Sequence, residues 1–211
     1  MCKELARTRR VYRLVEAHEL ARIAGTVHHG GAVAIAVDQA LREPSAQHVA
    51  AWVRDGSVVV ACDGVGNPHN LGAIARTMAY LGARALIVED GPGRAGVSDA
   101  AMRVSEGGLA RIDVFAVRSL PAFLGPLPAE VCVIGTALGA PTTLGRWTPP
   151  PGCKLLVLGN EEHGLSPAVA HTCDVLVEIP GTGGMESLNV SVAAAIFLWE
   201  LLGGPERQGH R

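Results

Sequence analysis

Three segments of this 211-residue chain combine glycine-rich turns with side chains able to bind, orient or move protons. The first runs Asp63-Gly64-Val65-Gly66-Asn67-Pro68-His69-Asn70 and continues through Leu71 and Gly72 to Arg76. An apolar strand ends at Asp63, the backbone turns through two glycines, and a helix is expected to start near Asn70, a residue type suited to an N-cap. Arg76 follows six residues later, under two helical turns further on. Alone, this reads equally as a capped helix with a surface charge or as an anion contact. The second segment is Gly159-Asn160-Glu161-Glu162-His163-Gly164-Leu165-Ser166, entered directly from an apolar strand. Glu162 reads as a solvated turn residue. Glu161 reads by residue type alone as a solvated turn residue too, and His163 is a candidate general base or metal ligand, although a lone loop histidine is more often neither. The third is Ile179-Pro180-Gly181-Thr182-Gly183-Gly184-Met185-Glu186-Ser187-Leu188-Asn189. Here a helix is expected to begin near Ser187, putting Ser187 and Asn189 in a first turn whose N–H groups point outward.

The spacing excludes several familiar chemistries. Gly64, Gly66 and Gly72 do not form a dinucleotide-binding G-x-G-x-x-G, and no Gly-Lys-Ser/Thr follows as in a P-loop. Ser187 lacks the flanking glycines of a nucleophile elbow. The five cysteines, Cys2, Cys62, Cys132, Cys153 and Cys173, are widely scattered with no close pair, so they read as free thiols and no metal site is expected.

The elements that must position these segments follow from periodicity. Short apolar runs at 58–62, 85–88, 112–117, 131–135, 155–158 and 175–179 read as buried strands. Helical stretches fit between most of them, including 71–81, and a final helix is expected over 188–202. Its apolar part, 192–202, suits a partner surface or a core position equally. Alternating strands and helices imply an α/β fold, a mostly parallel sheet with helices on both faces. In such sheets ligands sit beyond the carboxyl ends of the strands, where all three segments lie. Ahead of this domain, residues 1–40 suggest a helix, a short strand over 11–15, a helix over 17–24 and a strand over 32–37. That is too little material for an independent core. Residues 41–57 read as a linker with a helical turn around 47–53, residues 58–205 as the main domain, and 206–211 as a tail.

A net charge of −2 argues against nucleic-acid binding through bulk charge alone. Its distribution is uneven: residues 1–22 carry six basic side chains against three acidic ones. The basic residues are nearly all arginine, which suits bidentate phosphate contacts, although an arginine-rich coding bias would produce the same excess. The longest apolar runs, 32–37 and 192–199, fall well short of the roughly 18–20 residues that cross a bilayer. The start, Met1-Cys2-Lys3-Glu4-Leu5, leads into charge rather than a signal-peptide core. A cytoplasmic location without membrane association is the expectation.

Taken together and in this order, the three segments resemble the motifs of the SpoU (TrmH-like) family of the SPOUT superfamily of RNA methyltransferases, over about residues 58–203. The stretch Arg103-Val104-Ser105-Glu106-Gly107-Gly108-Leu109-Ala110 is similar to the family's link between its first and second motifs. The resemblance implies a parallel α/β sheet with a C-terminal trefoil knot. It implies S-adenosylmethionine as cofactor, a homodimer, and methylation of a ribose 2′-hydroxyl in tRNA or rRNA. By the resemblance, the first-motif asparagine and arginine fall on Asn70 and Arg76, the second-motif glutamate on Glu161, and the third-motif serine and asparagine on Ser187 and Asn189. The cofactor pocket falls on Gly159, Ile179 and Leu188, with Thr136 and Gly164 nearby. Two departures stand out. Gly181 occupies a position where many members carry methionine. Residues 11–37 resemble only the second half of the ribosomal-protein-like RNA-recognition domain that precedes many members. Either Met1 is an internal start or the recognition domain is partial, and residues 1–40 are expected to be poorly anchored or to lean on the catalytic domain. The competing expectations are a SPOUT enzyme that methylates a base and a non-catalytic RNA-binding protein that keeps the fold.

Overall fold

The computed structural model describes residues 2–9, 11–35, 41–91, 94 and 96–203. Its chain divides into two units, Met1–Ala40 and Leu41–Arg211.

In the first unit, helices α1 (Cys2–Arg7) and α2 (Ala17–Ala24) bury no residue. The strand expected over 11–15 does not form, and Val11 and Leu14 are exposed. Five β-prone residues have no ladder without a neighbouring strand to accept their N–H groups. Residues 32–35 are likewise not a strand. Residues 36 and 37 of that expected strand, and the tail at 206–211, lie outside the described residues.

The second unit is built on seven parallel strands: β1 (Val58–Cys62), β2 (Ala85–Glu89), β3 (Asp113–Val117), β4 (Val131–Thr136), β5 (Thr142–Thr143), β6 (Cys153–Leu158) and β7 (Val175–Glu178). Their order is β3-β2-β1-β6-β4-β7-β5. Every residue of β1 is buried, as a central strand covered on both faces requires. Cys62 stands beside Val88 of β2 and Leu158 of β6. The six strands expected for this main domain all form, within one or two residues of their expected limits. The two-residue edge strand β5 is too short to leave a periodic signal.

Two apolar layers enclose the sheet. One contains α4 (Pro68–Leu81), which buries Leu71, Ile74, Ala75 and Met78, and α8 (Val190–Leu202), which buries Ala194, Phe197, Leu198 and Leu201. That spacing of three, four and seven is a helix face turned to the core. The opposite layer holds Trp52 and Phe115, Leu120 and Leu124 of α6 (Leu120–Leu124), and Val169 of α7 (Pro167–Ala170). Trp52 belongs to α3 (Ala46–Asp55), so the segment expected as a linker is a ten-residue helix of the main unit. Its indole lies edge-on to Phe115, with ring centroids 5.7 Å apart. The polar run around Pro44 masks this helix in sequence, because only Trp52 is fully buried while Val49 and Val53 pack against the layer in part. Among the described residues, no helix is long and apolar enough to cross a membrane.

Burial also sets the thiols. Burial raises Cys62 to about 12, with the Glu161 and Asp63 charges adding to it. Burial raises Cys153 and Cys173 to about 11 each. These thiols stay protonated at pH 8, so only a minute thiolate fraction is nucleophilic. Alkylation of the native protein with iodoacetamide at pH 8 should label exposed Cys2 first and leave Cys62 unmodified until unfolding. Peptide mass spectrometry reads the order, and labelling of Cys62 as fast as Cys2 contradicts the burial. The unfolded thiols lose their protons first as pH rises, so stability should decline from about pH 9 upward.

Candidate active site

The strand order reverses between β1 and β6: β2 and β3 continue to one side of β1, while β4 and β7 lie beyond β6. A crevice forms at such a reversal, outside the carboxyl ends of the strands. The loops leaving β1 and β6 meet there. Asp63, buried directly after β1, donates its backbone N–H to Leu158 at 2.8 Å, and its carboxylate accepts the Ser166 N–H at 2.6 Å. Arg94 brings its guanidinium to Glu89 at 2.9 Å and to Asp63 at 3.9 Å, from the chain beyond β2.

The helix after the first loop begins earlier than expected, at Pro68, and its N-cap is Asn67 rather than Asn70. Asn67 accepts the His69 N–H at 2.9 Å, and Pro68 supplies a first-turn residue with no N–H to satisfy. This shift matters chemically, because Asn70 is not used up as a cap. It sits buried in the first turn, and its amide N–H donates to the Glu161 carboxylate at 2.7 Å. Its carbonyl accepts from the Asn189 amide at 3.1 Å.

Asn189 is itself the N-cap of α8, two residues later than the start expected from sequence. Its side-chain oxygen accepts the Ser191 N–H at 2.9 Å and the Ser191 hydroxyl at 2.6 Å. With the oxygen so committed, its NH2 group must face Asn70. Glu161 completes the chain by accepting from the Gly66 N–H at a long 3.5 Å. One hydrogen-bond path thus joins all three sequence segments, across separations of 91 and 119 residues.

Arg76 and Ser187 stand outside that path. Arg76 lies roughly 9 Å along the helix axis from Asn70, and its guanidinium pairs with Glu106 at 2.8 Å, both side chains largely exposed. Glu106 follows α5 (Asp99–Ser105) in a left-handed conformation, φ +46°. The chain then presses a short 3-10 helix, Gly108–Ala110, onto α4 at Arg76. A Cβ on Gly108 would stand 2.8 Å from the Arg76 Cα, so only glycine permits that approach. Ser187 is exposed in the loop before α8 rather than in its first turn.

Thr136, Gly159 and Ile179 lie at the carboxyl ends of three adjacent strands, β4, β6 and β7. Thr136 donates its hydroxyl to the Val157 carbonyl at 3.2 Å. At Gly159 a Cβ would fall 2.4 Å from the Gly164 carbonyl carbon and 2.5 Å from the Leu165 nitrogen, so the loop folds back directly over this residue. Gly164 turns the chain with φ +67°. Ile179 packs partly against the core, and Leu188 is half exposed. Backbone groups thus meet at three adjacent strand ends, beside the small residues Gly159 and Gly164. Glu162 and His163 are both highly exposed, 3.9 Å apart, and behave as turn residues. Among the described residues, no group of three or more His, Cys, Asp or Glu side chains is placed to hold a metal ion.

Sequence reasoning passed over Asp63, Arg94, Glu106 and Asn160. Of these, only Asn160 carried a usable signal, an amide directly after a strand-ending glycine. The partners of the others are set by tertiary approach.

The profile of the SpoU rRNA Methylase family matches residues 57–199. The 23S rRNA (guanosine-2′-O-)-methyltransferase RlmB of Nitrosomonas europaea is 35% identical over 188 residues, 89% of this chain and 71% of that protein. The tRNA/rRNA methyltransferase YfiF of Escherichia coli O157:H7, which is uncharacterized, is 32% identical over 200 residues, 93% of this chain but 56% of that protein. The crystal structure of the SpoU methyltransferase AviRb from Streptomyces viridochromogenes in complex with AdoMet superposes with a TM-score of 0.65 at 29% identity, covering 74% of this chain and 60% of that one. The chain therefore spans less than two thirds of the latter two proteins. With its family profile matched from β1 to within α8, the chain belongs to the SpoU rRNA methylase family.

Proposed function

We propose that this protein transfers the methyl group of S-adenosylmethionine to a ribose 2′-hydroxyl of tRNA or rRNA. The observation that carries the reading is the hydrogen-bonded path Glu161–Asn70–Asn189, which draws three loops together at the reversal of strand order. The cofactor, when bound, supplies an electrophilic methyl on a sulfonium. Thr136, Gly159, Gly164, Ile179 and Leu188 would hold it. The relatives named for guanosine-2′-O-methylation of 23S rRNA support RNA as substrate, and the AdoMet-bound AviRb supports the cofactor.

The protein's task is then to place one oxygen in line with the methyl carbon. Holding two reactants in attack geometry supplies on the order of 7–11 kcal/mol of barrier reduction. As the O–C bond forms and the S–C bond breaks, the hydroxyl releases its proton to solvent. Arg76 is not the base, because a guanidinium stays protonated. Its role is to contact the phosphate beside the target ribose and to stabilise the developing negative charge. Asn70, Glu161, Ser187 and Asn189 fix the walls of the site and orient the nucleotide.

The same reading includes a homodimer in which two subunits complete the site. It is supported by the exposed apolar stripe Val192, Ile196 and Trp199 on α8 and by the separation of Arg76 from the Asn70 path. It also includes a knotted C-terminal segment, a partial RNA-recognition domain over residues 1–40, and a cytoplasmic location. The test is transfer of labelled methyl from the cofactor into total tRNA and total rRNA, followed by alkaline hydrolysis. Label is expected in a dinucleotide resistant to alkali, because a 2′-O-methyl removes the internal nucleophile. Label on a base overturns ribose transfer. Cofactor binding without transfer to either RNA pool points to a non-catalytic RNA-binding protein.

A further inference from the structure

Asn160 is the first residue beyond the tight Gly159, and its backbone N–H, its carbonyl, its side-chain oxygen and its side-chain NH2 each make at least one hydrogen bond. Its backbone N–H donates to the Gly164 carbonyl at 2.9 Å and its carbonyl accepts the Gly164 N–H at 3.0 Å. Its side-chain oxygen accepts the Glu162 N–H at 2.9 Å and the His163 N–H at 3.1 Å. These four bonds close residues 160–164 into a ring around one amide. The side-chain NH2 points the other way and donates to the Gly64 carbonyl at 2.7 Å, across a sequence separation of 96 residues. Gly64 holds φ +72°, so its carbonyl is aimed by a turn few other residues adopt. The amide orientation is unambiguous, because the oxygen faces only donors and the nitrogen faces only an acceptor.

Glu161 lies inside that ring, and its carboxylate is the acceptor for Asn70. We infer that Asn160 is a positioning residue: by tying the ring after β6 to the turn after β1, it holds Glu161 in register with Asn70. The ring determines the shape of the loop, and the bond to Gly64, beside the bond from the Ser166 N–H to Asp63, sets where that shape sits. This assignment rests on the proposed methyl transfer only for its kinetic consequence, since the tie itself is a matter of geometry.

Asn160→Asp separates the two jobs. The variant side chain keeps an oxygen for the Glu162 and His163 amides but turns a second oxygen toward the Gly64 carbonyl, where donor becomes acceptor. In the full chain, amide hydrogen exchange across residues 63–67 should quicken about ten-fold, while the amides of 162–164 change by no more than about two-fold. In turnover, kcat should fall about ten-fold or more while the dissociation constant for S-adenosylmethionine changes by less than about three-fold. Because Asn160 acts through Glu161, the double variant N160D/E161Q should be no more than about two-fold slower than the slower single variant. Unchanged exchange at 63–67, or single effects that multiply in the double variant, overturns the assignment. If N160D fails to fold, Asn160→Ser repeats the test with a hydroxyl too short to reach Gly64. Global unfolding of both variants also overturns it, since Asn160 would then be a general stability residue. A wild-type protein that transfers no methyl sinks the proposed function, and the exchange measurement still decides the tie.

Discussion

Arg76→Ala should lower methyl transfer by about 100- to 1,000-fold, while the affinity for S-adenosylmethionine stays within about two-fold of the parent. The magnitude follows from the loss of one preorganised donor at developing negative charge, roughly 3–4 kcal/mol. The partition between kcat and cofactor binding follows from position. In the chain's own fold Arg76 pairs with Glu106, and none of Thr136, Gly159 and Ile179 is among its hydrogen-bond or ion-pair partners in the described residues. That ion pair is exposed on both sides, where such pairs contribute little to stability. The melting temperature should therefore hardly move, which separates a chemical loss from a folding loss. Arg76→Lys should recover only part of the rate, because an ammonium lacks the planar fork that grips phosphate with two bonds. Steady-state kinetics on the RNA identified by labelling, with calorimetry for the cofactor, make the comparison. A variant that keeps more than half its turnover removes Arg76 from the chemistry.

The fold of the main unit was legible because its central strands are continuous apolar runs that alternate with helical stretches. Val58-Val59-Val60-Ala61-Cys62 must be buried on both faces, and an all-parallel sheet is the arrangement that does this. The failures share a cause. At 11–15 a β-prone run lacks a partner, and strand pairing is a tertiary fact that periodicity does not carry. At 46–55 a helix passes for a linker because its inward face is short, Val49, Trp52 and Val53, and the one of them that is fully buried rests on a phenylalanine sixty-three positions away in sequence. The helix start at Pro68 instead of residue 71 has a local explanation: Asn67-Pro68 is the better cap and first-turn pair, and Asn70 competes for the same assignment only when its side chain is treated as free. It is not free, because Glu161 and Asn189 claim it. For the candidate site, residue types at strand ends identified the loops, whereas the bonds between loops were invisible. Asn160 to Gly64 and Asp63 to Ser166 are contacts between residues about one hundred positions apart, fixed by which strands lie side by side. The same limit explains why Arg76 and Asn70, neighbours in motif and on one helix, end with different partners.

Gly159→Ala should be the most damaging single methyl group that the proposed cofactor pocket can receive. The new Cβ would meet the backbone of Gly164 and Leu165 at 2.4–2.7 Å, and backbone atoms held by the Asn160–Gly164 pair cannot move aside as a flexible side chain can. Overpacking of this kind costs on the order of 1–3 kcal/mol, which for a domain of this size lowers the melting temperature by roughly 2–10 °C. Affinity for S-adenosylmethionine should fall about 30-fold or more, corresponding to about 2 kcal/mol of displaced loop. Gly164→Ala is the matched control. Its Cβ would meet nothing within 4 Å, and only the φ of +67° is strained, so its cost should be nearer 1 kcal/mol. Equal losses of cofactor affinity in the two variants would contradict the crowding argument. The pair of defects also tests the proposed dimer. A G159A protomer keeps Arg76, and an R76A protomer keeps an intact cofactor loop. If Arg76 serves the pocket of its partner, mixing the two impaired variants under conditions of subunit exchange, at cofactor too dilute for G159A to bind, rebuilds one complete site per mixed dimer, and methyl transfer rises. If Arg76 serves its own pocket, each site in the mixed dimer retains one lesion and the mixture stays impaired.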